Sequence, residues 1–331
     1  MTLLSMGLVD IRLLGIYGMG GIGKTTLSKA IYERISHQFE VSCYIANIRE
    51  ETRTHGLLYL QKQLISETLM EREINIWNEY VASRVIVNRL RNKKVLIVLD
   101  DVDEEEQLNA LAGSHDWFGQ GSRIIITSRD HHLLSRFVND TYKVKNLNEN
   151  EALQLFSRKA FKKSHLEENY VELSKEVVNY AQGLPLALEV FGSFLFGRNM
   201  DEWESARHFL KENPNAKILD KLKISFDGLE PLEKELFLDI ACFFNGAYME
   251  NIIHILESFG YHPNINIKVL EDKSLITSGR LGIHDLLQKM GQKIVHDESA
   301  EPEKRSRLCH DKDVIHILKN DIVSGLVYTQ T

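Results

Sequence analysis

Cysteine is scarce in this chain: Cys43, Cys242 and Cys309 are the only three in 331 residues, and none belongs to a CxxC pair. Such spacing suggests neither a disulfide framework nor a zinc finger, and reduced thiols of a cytosolic protein are the expectation. A long apolar run is missing too. The longest, LPLALEVFGSFLFG from Leu184 to Gly197, is broken by Glu189 and falls short of the roughly 20 residues a membrane-spanning helix needs. Positive charge is not in excess: 40 Lys and Arg against 47 Asp and Glu give a net charge of -7, so no global attraction to nucleic acid or an anionic membrane is expected. The first residues, MTLLSMGLVDIRLLG, lack a basic n-region, and Asp10 and Arg12 interrupt their apolar run, so a signal peptide is not expected. No repeat with a period of roughly 20 to 50 residues is visible.

What is present is an ordinary globular composition, 43% hydrophobic and 26% charged, at a length that suits two or three domains. LLGIYGMGGIGKTTLSKAIY has the order strand, glycine loop, helix, and Gly18 to Thr25 fits G-x-x-x-x-G-K-[ST]. Gly20, Gly21 and Gly23 allow backbone N–H groups to turn inward around phosphate oxygens, and the helix beginning near Lys24 adds its positive end. Lys24 suits the β- and γ-phosphates, and the Thr25 hydroxyl suits Mg²⁺. KKVLIVLDDVD supplies a buried parallel strand that ends in Asp100 and Asp101: the first is the expected Mg²⁺ partner, the second stands where a base or water-orienting group would act. SRIIITSRD reads as a third buried strand that brings Arg129 to the same sheet edge to sense a γ-phosphate, and CYIANIRE, residues 43 to 50, reads as another strand.

Beyond TYKVKNLNENEALQLF the pattern becomes helical. Asn148 and Glu151 predict a capping box, and Gly183 with Pro185 splits YVELSKEVVNYAQGLPLALEVFGSFL into two helices. Pro231 opens PLEKELFLDIACFF; more helix and a short hairpin-like KSLITSGRLGI follow, as in a winged-helix unit. Late in the chain, Ile283, Leu286, Leu287, Met290 and Ile294 share a helical face, with His284 and Asp285 in its first turn. A catalytic or metal-binding His–Asp pair would need a nucleophile or further ligands that the sequence does not nominate, which leaves a packed histidine or a phosphate contact.

Taken in order, GMGGIGKTT, VLIVLDDVD, GSRIIITSRD, GLPLAL, FLDIACFF and IHDLLQKMGQKIV resemble the NB-ARC module of plant intracellular immune receptors, the nucleotide-binding leucine-rich-repeat class. Asp103 and FLDIACFF resemble the subclass carrying a Toll/interleukin-receptor domain. The resemblance implies an α/β P-loop NTPase domain with a parallel sheet (1–146), an all-α helical domain (147–212), a winged-helix domain (213–321) and a tail (322–331). It implies a switch of innate immunity that rests with ADP and is activated by ATP with Mg²⁺, and that hydrolyses ATP weakly at most. Gly20, Gly21, Ile22, Gly23, Lys24, Thr25 and Thr26 would hold phosphates, Thr25 and Asp100 the metal, Arg129 the γ-phosphate, Pro185 the adenine side and His284 the ADP β-phosphate. Asp101 would be the catalytic group of any hydrolysis. In the full-length family the partners are a leucine-rich-repeat domain, a Toll/interleukin-receptor domain and further copies on activation, in the cytoplasm or nucleus, with no membrane segment and no nucleic acid. Ile283 replaces the family's Met before His284, an apolar exchange of similar size that keeps the packing. Residues 320–331, NDIVSGLVYTQT, leave the family's usual continuation. The rival classes are an efficient ATPase motor, a winged helix bound to DNA, and a nucleotide-binding relative without switching.

Overall fold

Four largely apolar runs and the polar edge segment DTYK become five parallel strands. The computed structural model describes residues 4, 7, 9–69, 76–163, 165–212, 215–277, 280–309 and 311–319, and the chain divides into two compact units, Met1–Lys145 and Asn146–Thr331. The proposed tail 322–331 and the segment 320–331 lie outside the described residues. In the first unit the elements are β1 (Arg12–Tyr17), α1 (Lys24–Ile35), β2 (Val41–Ile45), α2 (Ile48–His55), α3 (Leu57–Leu69), α4 (Glu79–Leu90), β3 (Val95–Val102), α5 (Glu105–Ala112), β4 (Arg123–Ser128), α6 (His131–Ser135) and β5 (Asp140–Lys143). The sheet order is β2-β3-β4-β1-β5, parallel throughout.

Such a sheet must be covered on both faces, and the strand period of two divides the core accordingly. Leu13, Ile97, Leu99, Ile124 and Ile126 point to the side packed by α3, α4 and α5 through Leu60, Leu64, Ile86, Leu90 and Leu111. Leu14, Ile16, Leu96, Val98 and Ile125 point the other way, onto Ile35, Leu27, Ile31 and Tyr32 of α1. Central strands buried on both faces are apolar along their middle, which is why VLIVL and III show no alternation.

One strand is shorter than its sequence predicts. The run 43–50 leaves the sheet after Ile45; Asn47 adopts φ 52°, and α2 begins at Ile48 with Glu50 and Glu51 in its first turn. Asparagine tolerates the left-handed region, and acidic residues suit a helix N-terminus, so helix wins over continued strand.

The second unit is helical: α7 (Glu149–Ala160), α8 (Val171–Ala181), α9 (Pro185–Leu195), α10 (Met200–Glu212), α11 (Ala216–Asp227), α12 (Pro231–Asp239), a π-helical turn (Ile240–Phe244), α13 (Met249–Ser258), α14 (Pro263–Asp272), α15 (Asp285–His296) and α16 (Asp311–Lys319). The capping box at Asn148 and Glu151 forms at the start of α7. Gly183, at φ +71°, makes the turn between α8 and α9; a Cβ there would stand 2.2 Å from the Leu147 carbonyl, so the position requires glycine on both counts. The expected hairpin is reduced, among the described residues, to two isolated antiparallel bridges, Thr277 to Gly282 and Tyr248 to Arg280. On α15, Leu286, Leu287, Met290 and Val295 are buried while Ile294 is only partly covered, and His284 is the residue before the helix rather than part of its first turn.

The expectation of three reduced thiols is corrected. Cys242 and Cys309, 67 positions apart, are joined in a disulfide with Cα atoms 5.0 Å apart, and Cys43 alone is free and buried. No local spacing announces the pair because its partners meet only through tertiary packing. Closing a loop of that length restrains the unfolded chain by about 4 kcal/mol. Among the described residues, no helix is long and apolar enough to cross a membrane.

Candidate functional site

The loop between β1 and α1 is shaped by glycine. Gly18, Gly21 and Gly23 have φ of +149°, +78° and +96°, values that L side chains rarely adopt. Ile22 is buried and pins the loop, while Thr25 and Thr26 face solvent. Gly23 precedes α1 and offers no side-chain cap, and the first turn of α1 contains no acidic residue. A helix N-terminus of this kind presents N–H groups and a positive dipole end to an incoming anion. Lys24 is buried, and its Nζ donates to the carbonyls of Gly18 at 2.7 Å and Met19 at 3.0 Å, which holds the ammonium inside the loop.

The ends of β3 and β4 complete this edge. Thr25 Oγ1 donates to Asp100 Oδ2 at 3.0 Å, and Thr127 Oγ1 donates to Asp100 Oδ1 at 2.7 Å. Asp100 is fully buried; burial raises its pKa, the Thr127 and Thr25 hydroxyls and Lys24 oppose that rise, and neighbouring Asp101 adds to it. The pairing of β3 with β4 slips between Leu99 and Val102, and Asp101 adopts φ 61° while its N–H donates to Thr127 Oγ1 at 2.9 Å. A bulge re-aims side chains at the end of a strand. Here it turns Asp101 to Arg49, at 2.9 Å, and Arg129, at 3.7 Å. Burial lowers the Arg129 pKa and the Asp101 carboxylate raises it.

Arg49 and Thr127 are two members of this cluster that sequence reasoning missed. Arg49 was hidden by extending its strand to residue 50; the acidic pair Glu50 and Glu51 after Asn47 is the signal for a helix start that would have placed it. Thr127 was a polar position inside an apolar buried run, which only a partner explains.

Two of the expected residues belong to the second unit. Pro185 is the first residue of α9, preset by its ring for that position. His284 precedes α15, and its Nδ1 accepts from the Leu286 N–H at 3.2 Å. That bond places the proton of the neutral ring on Nε2, a buried donor that meets no acceptor in hydrogen-bond geometry. Burial lowers the ring's pKa, while the Asp285 carboxylate and the nearby Ala181 carbonyl favour the charged form. The Tyr180 hydroxyl, near enough to feel the Asp285 charge, is likewise buried without a partner, and Gln182 Oε1 accepts from the Asp285 N–H at 3.4 Å.

The residues present fit a nucleotide with its metal. An uncapped helix end and a central ammonium suit phosphates. Among the described residues no cluster of three or more His, Cys, Asp or Glu could hold a metal, but Mg²⁺ at a phosphate loop draws most of its ligands from phosphate and water and needs one hydroxyl and one carboxylate.

A parallel sheet with a glycine phosphate loop after its first strand and an acid closing a neighbouring strand defines a P-loop NTPase fold. The chain belongs to the NB-ARC family: residues 2–166 match the NB-ARC domain, and residues 230–299 match the winged-helix domain of Roq1-like disease resistance proteins. TMV resistance protein N of Nicotiana glutinosa is 46% identical over 97% of this chain and 28% of its own length. Disease resistance protein RUN1 of Vitis rotundifolia is 46% identical over 90% of this chain and 23% of its own length. The chain thus spans under a third of the length of these relatives.

Proposed function

We propose that this chain is the ADP/ATP-dependent switch of a plant disease-resistance receptor. The single observation that carries the reading is the loop ahead of α1: three glycines at positive φ, a helix end without a side-chain cap, and a buried Lys24 held at its centre. In this reading Gly20 to Thr26 bind phosphates and Lys24 balances their charge. Thr25 and Asp100 would hold Mg²⁺ with ATP, where the ion would supply positive charge to the phosphate oxygens. Arg129 contacts the γ-phosphate, Pro185 borders the adenine, and His284 donates from Nε2 to the β-phosphate of ADP. The buried Nε2–H, for which the nearby Ala181 carbonyl lies outside hydrogen-bond geometry, supports that last role, because a buried donor without a well-placed acceptor is costly and a phosphate oxygen would satisfy it.

The switch works only if its ligands distinguish the two states. ADP held by both the phosphate loop and His284 stabilises the resting state, and ATP favours the active state through the additional Arg129 contact. The pairing of Asp101 with Arg49 and Arg129 supports a switch with weak hydrolysis over an efficient motor, since a carboxylate engaged by two guanidinium groups is not free to orient an attacking water. The division into 1–146, 147–212 and 213–321, partnership with Toll/interleukin-receptor and leucine-rich-repeat domains, self-association on activation and a cytoplasmic setting all belong to this proposal.

Denaturing the purified protein and identifying the released nucleotide by mass spectrometry tests the core of the reading. ADP is the expected species, and Lys24→Ala abolishes its retention. His284→Ala weakens ADP more than ATP in calorimetric titration; equal losses would remove His284 from the phosphate.

A further inference from the structure

The disulfide lies where the second unit's C-terminal segment crosses its helical core. Cys242 sits in the π-helical turn after α12, and Cys309 in a segment without regular structure between the short helical turn Pro302–Lys304 and α16. Both cysteines are only partly covered, so a dithiol can reach them. Cys43 does not compete for exchange: it is buried, its thiol donates to Glu67 at 3.0 Å, and burial together with that carboxylate pushes its pKa far above neutral, so no thiolate forms.

Contacts besides the disulfide help to position Cys309. The neighbouring Arg307 is buried; its Nε donates to Asp239 at 2.5 Å, and its Nη2 donates to the Glu235 carboxylate at 2.7 Å and carbonyl at 3.0 Å. Arg305 donates to Asp313 at 2.7 Å, and Ser306 donates to Glu298 through its N–H at 2.7 Å and its hydroxyl at 2.8 Å. These bonds hold the segment after the S–S bond breaks, so the two thiols remain opposite one another at high effective concentration and reclose without a search.

The turn that carries Cys242 also seats α15. Gln288 Nε2 donates to the Ala241 carbonyl at 3.0 Å, Asn245 Nδ2 donates to Gln288 Oε1 at 2.9 Å, and Asn245 Oδ1 accepts from the Ile283 N–H at 3.1 Å. A Cβ on Gly291 would stand 2.8 Å from the Ala241 Cβ, so helix and turn are in tight contact. Freedom gained by the turn is therefore passed to the start of α15.

We infer that Cys242 and Cys309 form a reversible thiol–disulfide couple that staples residues 299–309 to the π-helical turn and stiffens the seat of α15. Its reactants are a dithiol reductant and, in the reverse direction, a disulfide oxidant. A thiolate of the dithiol attacks one sulfur, breaks the S–S bond and forms a mixed disulfide, and its second thiolate releases the protein cysteine. Two electrons and two protons pass to Cys242 and Cys309, and the dithiol leaves as a cyclic disulfide. The inference stands whether or not the chain binds nucleotide.

The test uses the purified full chain without nucleotide. After oxidation with glutathione disulfide, acid quenching, denaturation and alkylation, intact mass should show one modified cysteine; after dithiothreitol it should show three, and after re-oxidation one again. Three modified cysteines in the oxidised sample would overturn the couple. Hydrogen exchange should quicken several-fold on reduction in peptides covering 299–309 and 283–291, and Cys309→Ser should exchange at the reduced rate in either redox buffer. Equal exchange of the wild-type chain in both states would overturn the staple, and this comparison decides even if the variant fails to fold.

Discussion

Asp100 is an ionisable group in a place that burial makes costly. Its pKa is raised in the folded chain, so its stabilising contribution exists below the ordinary carboxylate value of about 4 and is lost as pH rises; at neutral pH the buried charge is a net cost. Asp100→Asn should therefore raise the melting temperature of the nucleotide-free protein by a few degrees while removing the Mg²⁺ dependence of ATP binding. A lower melting temperature would show that the two threonine hydroxyls already compensate the charge. His284 has the opposite sign of shift for a base: its pKa is lowered, so its contribution is present above about pH 6.5 and is lost as pH falls through the folded value. The wild-type chain should lose more thermal stability than His284→Gln between neutral and mildly acidic pH; parallel profiles would place the pH sensitivity elsewhere.

At the scale of elements, turns and close approaches decide which substitutions matter. Gly183→Ala must adopt a left-handed backbone and push a Cβ against the Leu147 carbonyl, and should destabilise by about 2–3 kcal/mol in chemical denaturation. Gly228→Ala is its control: the same chemical change, at a helix end with φ −80° and no heavy atom nearer than 3.9 Å, should stay within about 0.5 kcal/mol. Equal effects would mean that neither the positive φ nor the Leu147 carbonyl penalises a Cβ at Gly183. The strands β1, β3 and β4 and the helix start at Lys24 were legible because a phosphate loop couples its glycine spacing to a strand before and a helix after. The end of β2 was not, because apolar and β-branched residues continue to Ile48 and the left-handed turn at Asn47 interrupts them only in space.

For the whole molecule, the reading as a switch is open to a direct kinetic check. Steady-state ATP turnover should fall well below the typical enzyme range of about 1 to 1,000 per second, and sustained turnover within that range would make the chain a motor. The sequence by itself determined the phosphate loop, the acidic strand end, the Gly183–Pro185 turn and the family, since each depends on residue types at short, fixed spacing. Tertiary structure alone decided what those residues touch. It added Arg49 to the acidic edge, set Asp101 between two guanidiniums, put Thr127 on Asp100, and brought Cys242 to Cys309 across 67 positions. It also left the His284 Nε2–H buried, with the Ala181 carbonyl nearby but outside hydrogen-bond geometry. Local spacing records how a chain turns, whereas charge pairing, desolvation and disulfide formation depend on distances between residues far apart in sequence, and only packing sets those.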